Sequence, residues 1–216
     1  MKKLKGLLKA SHFGPTLLVT GISFSFAQHY WWEGPAYVIA FGVFTGQLVV
    51  GWSNDLVDLE DDLRHQRKNK PLVAGSINQE TLHHWLRFMV PFSFFVNILG
   101  PLGIKGGLVY MMGVACGVAY NFYFKFSLLS PLPYAIAFAA LPSCIAISRE
   151  ISPPRWMLLG GALFGMAAHF INVIKDMKED HVSGIRGLPQ RIGTRGSAIT
   201  AGLLVTCGGL VVFHFR

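Results

Sequence analysis

A chain of 216 residues has the length of one domain, but with 52% hydrophobic and only 14% charged residues its composition excludes an ordinary soluble one. The net charge of +8 invites a nucleic-acid partner, and the distribution of that charge excludes it. Seven apolar segments of membrane-spanning length cover 15–32, 34–53, 86–104, 108–126, 128–147, 156–174 and 199–215. If they alternate across a bilayer, fifteen of the nineteen Lys and Arg fall on one side, which is the asymmetry of a cytoplasmic face. The expected fold is all-α: one membrane-embedded domain over 1–216, a polytopic bundle of about seven helices with two cytoplasmic cap loops.

The basic start, Lys2-Lys3-Leu4-Lys5 before an apolar run, faintly resembles a secretion signal, with Ser25-Phe26-Ala27 as a weak cleavage site. A second span follows at once, so the segment reads as a retained first helix anchored by Trp31 and Trp32. The second span leads directly into Asn54-Asp55-Leu56-Val57-Asp58-Leu59-Glu60-Asp61-Asp62. The sixth leads into Asn172, Asp176, Glu179 and Asp180. Eight of the eleven carboxylates lie in these two stretches, where a membrane helix meets water. On a helix Asp55, Asp58 and Asp62 share one face, as do Asn172, Asp176 and Asp180; Glu60 and Asp61 fall off the first face.

Like charges gathered on a helix end repel unless cations neutralise them, and hard carboxylate oxygens suit Mg²⁺ carrying a substrate's phosphates. Each cluster runs on into basic residues and a Pro/Gly return: Arg64, Arg67, Lys68, Lys70, Pro71 and Gly75 in the first loop, 54–82, and Arg186, Pro189, Arg191 and Gly193 in the second, 175–197. Acid, base and return occurring twice suggest two halves facing one cavity. Carboxylates for a metal, cations for a departing diphosphate and greasy helices beneath fit a substrate with an anionic head and a hydrocarbon tail, for which a prenyl diphosphate is the obvious candidate.

These residues resemble the UbiA-type intramembrane prenyltransferases. The family's N-D-x-x-D-x-x-x-D is matched by Asn54, Asp55, Asp58 and Asp62, and its basic-Pro-Leu…Gly continuation by Lys70, Pro71, Leu72 and Gly75. Its second motif is matched by Asn172, Asp176 and Asp180, followed by Gly184, Arg186, Leu188, Pro189 and Gly193. Tyr120 and Lys125 stand where members often carry Tyr and Lys near the substrate. The resemblance implies two Mg²⁺ ions held by Asp55, Asp58, Asp62, Asp176 and Asp180. It implies leaving-group stabilisation by Lys70, Arg64 or Lys68, and Arg186 or Arg191. An allylic cation would then be captured by a small acceptor of the aromatic class in quinone, pigment or lipid synthesis. Members typically have nine membrane helices, so seven leave this chain two short, and Gly187 stands where Thr or Ser is usual.

Other features carry weaker expectations. His169, one turn before Asn172, reads as a packed histidine before a cavity-lining one. His12 sits where some family members bind an acceptor carboxylate, but interfacial histidines are common. Cys116, Cys144 and Cys207 are isolated and show no metal spacing. A CDP-alcohol phosphotransferase is excluded because Asp58-Leu59-Glu60 lacks the required D-G. A cation or proton transporter is disfavoured because the span interiors are nearly free of acid. A family member that binds isoprenoids without turnover is the remaining alternative to the enzyme.

Overall fold

The computed structural model describes residues 2–216. Among the described residues there are nine α-helices and no strand: α1 (Lys2–Ala10), α2 (Phe13–Tyr30), α3 (Glu33–Val57), α4 (Leu59–Arg64), α5 (Gln79–Leu99), α6 (Gly103–Phe122), α7 (Pro131–Ile147), α8 (Gly161–Val182) and α9 (Leu188–Phe215). A wide helical turn, Trp156–Gly160, leads into α8. The seven long helices follow the seven apolar segments in order. By length and hydropathy α3, α6, α8 with its leading turn, and α9 can each cross a membrane, while α7 is apolar but shorter.

Several polar side chains of α2 and α5 find hydrogen-bond partners within the bundle, as a helix in lipid requires, although Asn97 Oδ1 is left without one. In α2 the hydroxyls of Thr20, Ser23 and Ser25 donate to carbonyls three or four residues back. Between α5 and α3, Asn97 donates to the Gly42 carbonyl at 3.1 Å, and Thr45 meets Ser93 at 3.1 Å. Such interhelical hydrogen bonds hold membrane helices together where lipid removes the hydrophobic incentive. Small residues do the rest. Added Cβ atoms on Gly161 and Gly165, four residues apart on α8, would lie 2.7 and 2.3 Å from the Phe138 and Tyr134 carbonyls, so α8 can approach α7 this closely only as glycine.

Two sets of contacts show that successive long helices alternate in direction. At one end the Trp31 indole donates to Ser148 at 3.0 Å, joining the end of α2 to the end of α7, and Arg149 covers the same indole. Arg155, before α8, lies over Phe215 at the end of α9. At the other end His12, Asp55, Lys125, Asp180 and Gln190 come together. The core forms around α3, where Ile39, Val43, Leu48, Val49 and Trp52 pack against Leu82, Tyr110, Val114 and Ile145.

Three helices run beyond their apolar segments, which corrects the expected loops. α3 continues to Val57, α8 to Val182, and α9 begins at Leu188, eleven residues before its apolar stretch. A helix leaving the bilayer keeps its backbone hydrogen bonds in water, so it need not stop where its hydrophobic residues do. The 54–82 loop also holds α4. α9 bends at Gly193, whose φ of 72° breaks the helical course, so its first turn crosses the bundle end before the long segment turns inward.

Candidate active site

The first acidic motif straddles a helix break. Asn54 and Asp55 lie on the last turn of α3, the helix stops at Asp58 (φ −85°, ψ −6°), and α4 restarts at Leu59. Helical spacing puts Asp55, Asp58 and Asp62 on one face, and the break lets the chain turn over the bundle end. The Asp62 amide still donates to the Asp58 carbonyl at 2.8 Å, so the turn is nearly helical and the three aspartates stay together.

Each of these carboxylates is matched by a cation of the chain itself. Asp55 is buried, and its Oδ1 accepts from Lys70 Nζ at 2.9 Å and lies 3.3 Å from His12 Nε2. Lys70 is also 3.8 Å from Asp62, so one ammonium spans two aspartates. Asp62, equally buried, accepts from Arg67 at 2.9 Å. Asp58 receives close hydrogen bonds from Lys125 and Asn54. Burial raises the Asp62 carboxyl above its ordinary value, an effect that Lys70 and Arg67 only partly oppose. Burial acts to lower the Lys70 ammonium, but Asp55, Asp62 and Asp58 outweigh it and hold Lys70 above the usual lysine value.

The second motif lies on an unbroken α8. Asp180 accepts from the Gln190 amide at 2.7 Å, and Asp176 feels both Lys70 and His12 while Asp180 feels Arg67 and Asp58. The two motifs therefore face one polar space. Arg67 ties them physically: besides Asp62 it pairs with Asp61 at 3.4 Å, donates to Ser183 at 2.6 Å and lies 3.8 Å from Glu179. Beneath this space stands an aromatic group. Tyr120 meets Tyr134 and His169 edge-on, and His169 bonds Ser130, which also caps the Leu188 amide. Asn172 lies against Tyr134.

The structure thus brings together Asn54, Asp55, Asp58, Asp62, Lys70, Tyr120, Lys125, Asn172, Asp176 and Asp180. Four basic candidates stand apart. Arg64 pairs with exposed Glu60 on the water side of α4, and Lys68 is exposed. Arg186 and Arg191 are exposed as well, the Arg191 guanidinium bonding the Arg186 carbonyl at 3.1 Å. Two residues not singled out by pattern complete the site, Arg67 and Gln190. Arg67 is one of four cations in seven residues, and only the turn after α4 decides which points inward. Gln190 lies inside the Leu-Pro…Gly return and gives no charge signal.

Gly187 explains how Gln190 fits. A Cβ there would lie 2.7 Å from Gln190 Oε1, 2.8 Å from Ser130 Oγ and 3.0 Å from the Lys125 carbonyl. The room that a Thr or Ser side chain would need is filled by the amide that holds Asp180.

Among the described residues no three His, Cys, Asp or Glu side chains converge as a ready-made metal cage, because the carboxylates are turned toward lysine, arginine and glutamine. The donor set nonetheless suits a hard divalent cation. Asp55 Oδ2 is buried without a hydrogen-bond partner, an acceptor that the chain itself leaves unmatched. Two apolar grooves, about 720 Å³ between α3, α5 and α6 and about 790 Å³ beside α2, are lined by none of the motif carboxylates.

Comparison with known proteins agrees with this architecture. A structure of a UbiA homolog from Archaeoglobus fulgidus bound to GPP and Mg²⁺ superposes with a TM-score of 0.78 at 14% identity, covering 95% of this chain and 76% of that one. A structure concerned with digeranylgeranylglyceryl phosphate synthase in membranes matches with a TM-score of 0.71 at 17% identity, over 98% of this chain and 76% of the other. No curated protein sequence matches the chain. The model of the UbiA prenyltransferase family matches residues 15–215; with its apolar helix bundle and two facing aspartate motifs, the chain is an integral membrane protein belonging to the UbiA prenyltransferase family.

Proposed function

We propose that this protein transfers the prenyl group of a prenyl diphosphate to a small aromatic acceptor in a Mg²⁺-dependent reaction. The observation that carries the proposal is the meeting of both aspartate motifs, with Lys70, Lys125 and Arg67 among them, at one end of an apolar bundle. Asp55, Asp58, Asp62, Asp176 and Asp180 would hold the magnesium. When bound it would neutralise diphosphate oxygens and ease departure of the leaving group. The similar structure with GPP and Mg²⁺ supports the same ligand chemistry.

The chain's own residues do the remainder. Lys70, Lys125 and Arg67 would exchange their carboxylate partners for diphosphate oxygens, where charge accumulates as the C–O bond breaks and its electron pair leaves with the diphosphate. Tyr120 and Tyr134 pack edge to face near the polar end, and their aromatic surface would suit a developing allylic cation. The hydrocarbon tail would run into the apolar bundle, and the acceptor's attack would form the new bond at the allylic carbon, the acceptor then losing a proton to the departed diphosphate or to water. No serine or cysteine nucleophile is needed, since positioning and electrostatics suffice. The bundle acts as one domain, with the acidic end on the cytoplasmic side by the charge asymmetry, in the plasma membrane if the host is a bacterium.

The test incubates membranes containing the protein with labelled prenyl diphosphates of several lengths and a panel of aromatic acceptors, with and without Mg²⁺. Mg²⁺-dependent prenylated product is expected. Mg²⁺-dependent retention of the diphosphate without product from any acceptor would favour the isoprenoid-binding reading.

A further inference from the structure

Helix α1 has three distinct faces. Gly6, Leu7 and Ala10 are buried against the bundle. The Leu7 carbonyl accepts from the Trp52 indole at 2.9 Å, and a Cβ on Gly6 would lie 2.6 Å from Ile77. α1 is thus docked on the last turns of α3 and on the return of the first loop. Leu4 and Leu8, one turn apart, form a second face, and Leu4 is 63% exposed. Lys5 and Lys9, also one turn apart, form the third, and both are exposed. Among the described residues the ion pairs all lie elsewhere, so the ammonium groups of Lys3, Lys5 and Lys9 are left to external anions.

A leucine ridge, exposed at Leu4 and half-buried at Leu8, beside an exposed lysine ridge on a short helix at the end of a membrane bundle has the layout of a helix lying at the headgroup boundary. The leucines reach acyl carbons while the lysine stems extend toward phosphates. A free acidic protein would satisfy the lysines but would leave the leucine ridge in water, so charge and apolarity together select the bilayer. We infer that α1 is an anionic-phospholipid-binding helix, engaging lipid phosphates through Lys5 and Lys9 with Leu4 and Leu8 in the bilayer. Its occupant differs from the prenyl substrate and does not depend on the reaction proposed above.

The binding has a route to the site. His12 follows α1 directly, in a left-handed conformation (φ 52°) that turns the chain into α2, and it lies 3.3 Å from Asp55. Thr16 locks this elbow by donating to the Ser11 carbonyl at 2.7 Å. Headgroup contact that steadies α1 therefore steadies the side chain next to a motif aspartate.

The test reconstitutes the full chain in phosphatidylcholine vesicles with or without phosphatidylglycerol and follows amide hydrogen exchange. Residues 3–12 should exchange severalfold more slowly with phosphatidylglycerol present, while residues 149–155 at the opposite end stay unchanged. Each lysine near an anionic surface contributes about fivefold in binding, so Lys5→Gln with Lys9→Gln should return residues 3–12 to the phosphatidylcholine rate. The inference is overturned by equal exchange in the two lipids, by an equal change at 149–155, by retained protection in the double variant, or by inorganic phosphate reproducing the protection in phosphatidylcholine alone.

Discussion

Lys70 stands between Asp55 and Asp62, and its position gives the polar end a pH dependence of definite sign. Its ammonium is held above the ordinary lysine value of 10.5. A group whose folded value is raised stabilises fully below the unfolded value and loses that contribution as pH rises through the folded one. Thermal stability in detergent should therefore show no Lys70-dependent loss at neutral pH and should decline in the alkaline range above that of free lysine; Lys70→Met should show a smaller alkaline decline. For turnover, Lys70→Ala and Arg67→Ala each remove a charge-assisted contact of about 1.5–3 kcal/mol, a loss on the order of tenfold to a hundredfold. Arg191→Ala, exposed and bonded only to a backbone carbonyl, should lose less. Asp58→Ala or Asp176→Ala should abolish activity and Mg²⁺-dependent diphosphate binding. Asp61→Ala should be milder because Asp61 meets only His65 and Arg67. Equal tolerance of all three aspartate changes in a direct binding assay would refute the shared site.

At the scale of elements, Gly187 and the start of α9 make the sharpest prediction. Restoring the hydroxyl residue by Gly187→Thr forces a Cβ against Gln190, Ser130 and the Lys125 backbone. Overpacking of this kind costs about 1–3 kcal/mol, and the displaced Gln190 would release Asp180. A lowered Tm with weakened Mg²⁺-dependent diphosphate binding is expected, and unchanged values in both would show that the space can relax. Much of this level was readable beforehand. The apolar segments marked the long helices because lipid demands unbroken apolar length, and the aspartate spacing marked the paired motifs. Helix ends were not readable: residues 175–182 carry no apolar signal, although α8 continues through them. The break at Asp58 was hidden too, since Leu59-Glu60-Asp61-Asp62 has the composition of an ordinary helix. The inward choice of Arg67 over Arg64 and Lys68 depends on the turn that follows α4, which no spacing rule supplies.

For the whole molecule, alternation of the long helices puts both motif loops at one end and Arg149 and Arg155 at the other. Reporter fusions should place residues 60–75 and 180–195 on the same side of the membrane and residues 149–155 on the opposite side; loops on opposite sides would dismantle the site. The contact between Trp31 and Ser148 has a consequence for how the protein is made. It fastens α2 to α7, so the first five long helices can close on themselves before α8 has left the ribosome, since chains assemble from the N-terminus as they are synthesised. At that stage Asp55 and Asp58 already have Lys70 and Lys125 at hand, and Asp62 has Arg67. The first half of the polar end is thus born electrically quiet, and the arrival of α8 then brings Asp176 and Asp180 to a helix bundle whose own aspartates already have partners.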